Sequence, residues 1–133
     1  MRLRIKIWLE DNGKVFGDGA YDLLNRVRRL GSLRQAAKEI GMSYAQAWKL
    51  VRGLEARLGF RLIESRSGGG GGGGSTLTER ACGLLDRYAV FRQDCQEYVS
   101  GKFAEYLGSE FGPYAVVPPG LRGGEHTGKD FRD

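Results

Sequence analysis

Residues 32–48 read SLRQAAKEIGMSYAQAW, and few folds are compatible with that spacing. Ala37 places a small residue where two helices must approach, and Gly41 places a turn former just after it. Ala36, Ile40, Met42, Ala47 and Leu50 fall on the inward side of both helices. Ser32 and Ser43 each precede a helical run, where a side-chain oxygen can accept from the free amides of the first turn. Apolar periodicity alone would leave so short a stretch ambiguous. The small residue, the glycine turn and the two serine caps together predict a helix-turn-helix. In that motif the second helix is shaped to enter the major groove of DNA.

The charge distribution agrees. Of a formal net charge of +5, residues 1–66 carry 14 Lys and Arg against 7 Asp and Glu, and residues 67–133 carry 7 against 9. The basic excess therefore lies on the half that holds the motif, as phosphate binding requires. The length suits one modest core. Cys82 and Cys95 lie within one helical pattern and form no disulfide framework, which suits a reducing compartment. There is no hydrophobic leader and no apolar run of membrane-spanning length, so the expected location is cytoplasmic, with no membrane contact. A single histidine, His126, and no clustered carboxylates offer no catalytic constellation and no metal site. Neither an enzyme nor a cofactor is expected.

Residues 2–10 (RLRIKIWLE) alternate, with Leu3, Ile5, Ile7 and Leu9 on one face, which predicts a half-buried strand. Asp11, Asn12 and Gly13 are a hairpin-turn signal, with Val15 and Phe16 returning as a second strand over residues 2–16. Helical spacing resumes over residues 21–30 through Leu23, Leu24, Val27 and Leu30. The helix-turn-helix is expected over residues 32–58, its second helix running Tyr44–Leu58 with Ala47, Val51, Leu54 and Leu58 on one stripe.

Residues 60–65 and 75–78 each read as a strand, flanking a run of glycines over residues 68–74. Such a run is either a flexible linker or the tip of a wing, a β-hairpin beside the recognition helix. The flanking strands favour a wing over residues 60–78. A phosphate-binding loop is disfavoured, because no Gly-Lys-Ser/Thr follows. Residues 78–107 then form one helical pattern, on the order of 45 Å long at ~1.5 Å per residue. Ala81, Leu84, Tyr88, Phe91, Cys95 and Tyr98 make a heptad-like seam, which predicts pairing with a second copy. Cys95 would then lie near its mate. Residues 109–133 hold turn formers without periodicity and are expected to be a disordered tail. The domain reading is thus residues 1–76 as a winged helix-turn-helix, 77–108 as a dimerisation helix, and a tail. The fold class is mainly α with a small β-wing.

The motifs Gly31-Ser32, Gln35-x-Ala37-Lys38, Gly41-x-Ser43-Tyr44 and Ala47-Trp48, with Arg66, the glycine-rich wing and Leu77-Thr78, carry a family resemblance. Over residues 3–107 the chain resembles the N-terminal domain of ModE-type molybdate-responsive transcription regulators. More distantly, it resembles the winged helix of LysR-type regulators. The resemblance implies a homodimer whose two recognition helices read a palindromic operator in double-stranded DNA. It does not extend to the molybdate-binding β-barrels that follow the long helix in that family. The expectation is a stand-alone DNA-binding version, constitutive or controlled through an unknown protein co-regulator.

Ser43, Tyr44, Ala45 and Gln46 begin the recognition helix and are the candidates to reach base edges. Gln46 suits adenine and Ala45 suits a thymine methyl. Lys49, Arg52 and Arg34 suit phosphates, while Arg66 at the wing base, with Ser75 and Thr76 on its far side, suits the neighbouring backbone or the minor groove. Trp48, beside Ala47 and Val51, reads as core. Leu84, Tyr88, Phe91, Cys95 and Tyr98 are the dimerisation candidates. A winged helix used to bind protein, or DNA without sequence preference, is the alternative.

Overall fold

A computed structural model of the chain describes residues 2–66, 74–108, 110 and 115–116. It opens with strands β1 (Arg2–Leu3), β2 (Trp8–Glu10) and β3 (Lys14–Gly17). Helices α1 (Asp18–Leu30), α2 (Leu33–Glu39) and α3 (Tyr44–Leu58) follow, then β4 (Ile63–Arg66), β5 (Gly74–Leu77) and the long α4 (Glu79–Leu107). A short β6 (Ala115–Val116) pairs in parallel with β1. The architecture is mainly helical with small strand pairs and one long C-terminal helix, the predicted fold class. Apart from residue 110 and β6, the expected tail lies outside the described residues, as does the glycine run up to residue 73.

The core forms because each helix has one apolar stripe to cover. Leu23, Leu24 and Val27 of α1, Leu33, Ala36 and Ala37 of α2, and Ala47, Val51 and Leu54 of α3 are buried together. Phe16 of β3, Leu62 and Ile63 at the head of β4, and Ala81, Leu85 and Tyr88 of α4 complete the cluster. A fully buried Leu or Phe contributes about 1.5–3 kcal/mol relative to leaving it exposed, so this cluster is the main favourable term that holds the helices together. Leu84, the predicted seam residue, is only partly buried; Leu85 beside it is the one fully inside.

The predicted N-terminal strand is shorter than its pattern. Alternate residues from Leu3 to Ile7 do turn inward, but residues 4–7 form no ladder, and Leu9 is exposed. A period of two reports which side chains face the core; pairing also needs a partner strand, and β3 reaches only as far as Trp8. The turn forms where expected, with Asn12 at φ 52°. Helix α1 begins at Asp18, before the predicted residue 21. Asp18 Oδ1 there accepts from the Tyr88 hydroxyl at 3.0 Å and from Arg92 Nη1 at 2.8 Å. Burial first, and then the Asp18 carboxylate, hold the Tyr88 hydroxyl protonated far above its ordinary range. The Tyr88 ring meets Phe16 edge-on at 4.9 Å. This cluster fastens α4 to α1 and the hairpin.

The wing strands pair antiparallel, with Ile63 opposite Leu77 and Arg66 opposite Gly74. The Ser75 amide donates to the Gly31 carbonyl at 2.9 Å, joining β5 to the end of α1. A Cβ at position 74 would stand 2.7 Å from that same carbonyl. Gly74→Ala is therefore expected to cost about 1–3 kcal/mol through backbone displacement, read as a lowered midpoint in urea. An unchanged midpoint would show that the β5–α1 contact gives way freely.

Candidate nucleic-acid interface

The two helices of the motif are held by the predicted caps. Ser32 Oγ accepts from the Gln35 amide and Ser43 Oγ from the Gln46 amide, each at 3.1 Å. Gly41 takes φ 74°, a left-handed conformation that L side chains rarely adopt, and its amide and that of Met42 bond back to Lys38 and Ala37. The first turn of α3 is left open to solvent: Ser43, Tyr44, Ala45, Gln46 and Lys49 are all exposed. That is the geometry of a recognition helix with its N-terminal residues available to a groove.

Gln46 has a structural task beside its expected role. Its Oε1 accepts from the Ser43 amide at 3.0 Å, completing a reciprocal capping box. Bidentate pairing with adenine needs that oxygen as well as the amide nitrogen, so base reading would require giving up the cap. Ser43 is the other half of that box, whereas the Ala45 methyl and the Tyr44 hydroxyl make no hydrogen bond among the described residues.

The cations sort into two groups. Arg26 and Arg29 pair with Glu39, Arg28 with Asp86, and Arg92 with Asp18. Arg52 Nη1 lies 2.7 Å from Glu55 Oε1 and its guanidinium sits 4.5 Å from the Trp48 ring centroid. Among the described residues, Arg34, Lys49 and Arg66 have no carboxylate partner. Arg34 instead lies over the Tyr44 ring at 4.1 Å. Trp48, read as core, is packed against the core at partial burial and meets Tyr44 edge-on at 6.1 Å.

At the wing base Arg66 is exposed and lies against Gly31 and Gly74. Ser75, a candidate DNA contact, is buried, with its amide bonded to Gly31. Thr76 is partly buried, with its hydroxyl 3.5 Å from the Glu64 carbonyl. On α4, Tyr88 is used within the chain's own core, whereas Phe91 is 48% and Tyr98 68% exposed, with Cys95 partly buried between them.

Sequence reasoning missed Glu55. Its Oε2 accepts from the Leu62 amide at 2.7 Å and the Ile63 amide at 3.4 Å, while Arg52 and Arg61 approach from outside. Burial alone would push its pKa up. The Leu62 amide, the Arg52 guanidinium and the Ile63 amide outweigh burial, and the pKa falls below the ordinary 4.5. This one carboxylate sets the wing against the recognition helix. A Glu within a helical stripe next to Leu54 was the available signal.

A capped helix pair with an exposed second helix, flanked by a strand pair and free cations, defines a winged helix-turn-helix DNA-binding domain. Residues 20–81 match the family described as bacterial regulatory helix-turn-helix protein, lysR family. The match runs from α1 into the first turn of α4, and that segment is a LysR-type DNA-binding domain of a transcription regulator. Compared with curated proteins, the chain shows no match. Among the described residues no group of three or more His, Cys, Asp or Glu could hold a metal, and no helix is long and apolar enough to cross a membrane.

Proposed function

We propose that the chain is a sequence-specific regulator of the ModE type that binds a palindromic operator as a homodimer through α4. The observation that carries the reading is the open first turn of α3, flanked by Arg34 and Lys49 with no carboxylate to neutralise them. The pairs Ser43-Tyr44 and Ala47-Trp48, with Leu77-Thr78 after the glycine-rich segment, support the ModE type. Phe91, Tyr98 and Tyr106, all exposed on α4, support a second copy as the partner. Molybdate sensing is not part of the proposal.

Selection from randomised duplex DNA, followed by sequencing of the retained fraction, tests it. The expected product is a two-fold symmetric motif with half-sites about one helical turn apart. Retention without a motif would replace the proposal with a non-specific architectural role, and no retention would replace it with a protein-binding one. On the selected duplex, Lys49→Ala is expected to weaken all sequences alike. It should also reduce the slope of log affinity against log salt by ~0.9, the signature of one lost phosphate contact. A changed base preference in that variant would make Lys49 a reader of sequence instead.

A further inference from the structure

We infer that Tyr44 is a positioning residue for Arg34: its ring holds that guanidinium, before any DNA arrives, as the anion-binding group that joins the two helices of the motif. The inference rests on the DNA-binding reading above and deepens it. Arg34 is the second residue of α2 and Tyr44 the first of α3, so the 4.1 Å stacking contact spans the turn at Gly41. Stacking uses the flat face of the guanidinium and leaves its N–H fork at the edge free for a phosphate or a base. Arg34 is exposed and makes no hydrogen bond or ion pair among the described residues.

The same device occurs one turn further along α3, and the contrast assigns the roles. Arg52 lies over Trp48 in similar fashion, but Glu55 at 2.7 Å already offsets its charge. Trp48 is packed against the core, so it has a structural task whatever Arg52 does. Tyr44 does not belong to the core cluster, and among the described residues the ring contacts it makes are with Trp48 and Arg34. A solvated aromatic at the head of a recognition helix, stacked by an otherwise unpartnered arginine, is accounted for by what it does to that arginine. A long, free side chain would have to surrender its rotamer freedom on binding; here the ring restricts it in advance.

The test is a thermodynamic cycle on the selected duplex, with affinity measured across a salt series. Arg34→Ala and Tyr44→Leu are each expected to lose roughly five- to tenfold in affinity, with a salt slope reduced by up to ~0.9. The double variant should be no weaker than Arg34→Ala, and Tyr44→Phe, which keeps the ring, should keep the salt slope of the unaltered protein and lose clearly less affinity than Tyr44→Leu. Without DNA, the ring-current shift of the Arg34 side-chain NMR signals should persist in Tyr44→Phe and vanish in Tyr44→Leu. Additive losses, or a Tyr44→Phe as weak as Tyr44→Leu, would overturn the inference and make the hydroxyl a direct DNA contact. If the unaltered protein retains no duplex, the DNA-binding reading fails instead, and the inference with it. If the NMR shift is absent from the unaltered protein, the positioning role fails whatever the affinities.

Discussion

Glu55→Ala is expected to destabilise the fold by about 2–4 kcal/mol, more than any other single change to a polar side chain described above. The Leu62 amide would be left buried without an acceptor, and Arg52 and Arg61 would lose the carboxylate between them. For a domain of this size the thermal midpoint should fall by on the order of 10 °C. Glu55→Gln keeps an acceptor for the amide but sets a neutral group between two guanidiniums, and should fall between the two. Acid titration gives a second reading. Because the folded carboxyl titrates below its ordinary 4.5, the unfolded chain binds more protons in that interval. The contribution of Glu55 is therefore complete above the unfolded pKa and is lost as pH falls through the depressed folded value. Both variants should flatten the acid limb of a stability–pH curve. A loss under half a kcal/mol at neutral pH would show that water replaces the carboxylate at no cost.

The second large effect belongs to the proposed dimer. Phe91→Glu combined with Tyr98→Glu is expected to give a monomer by sedimentation and to weaken operator binding by ~10²–10⁴-fold, since the second half-site would no longer be held nearby. Both side chains are already exposed, at 48% and 68%, so the thermal midpoint of the monomer should hardly move. A doubly charged variant that still sediments as a dimer would place the interface elsewhere. Tyr88 makes the internal comparison. It lies in the same predicted seam, yet its hydroxyl reaches Ile7 and Asp18, and its removal should lower the midpoint of the domain itself.

These contrasts mark how far the chain could be read unaided. Ser32, Gly41 and Ser43 were legible because each acts within four residues of itself, through a cap or a turn. The α4 seam was legible as periodicity, but periodicity cannot say which of its residues the rest of the chain claims. Tyr88 is claimed by a carbonyl 81 positions earlier, and Phe91 is not. Ser75 looked like a polar wing residue facing a ligand, and it is buried, with its amide bonded to Gly31. Gln46 looked like a base reader, since nothing in its identity shows that its oxygen closes a box with Ser43. Glu55 looked like one more charge on a helix; its partners, two amides at the start of β4, exist only once the chain has folded back.

Glu55 fixes the entry of β4 to α3, and the Ser75 amide fixes β5 to the end of α1. Both described rails of the strand pair are thus bonded, one to each neighbouring helix. If the proposed operator met both the wing base and the recognition helix, the duplex would supply part of the adjustment, by bending or by narrowing a groove. Selection would then act on the stiffness of the bases between the contacts as much as on the bases touched.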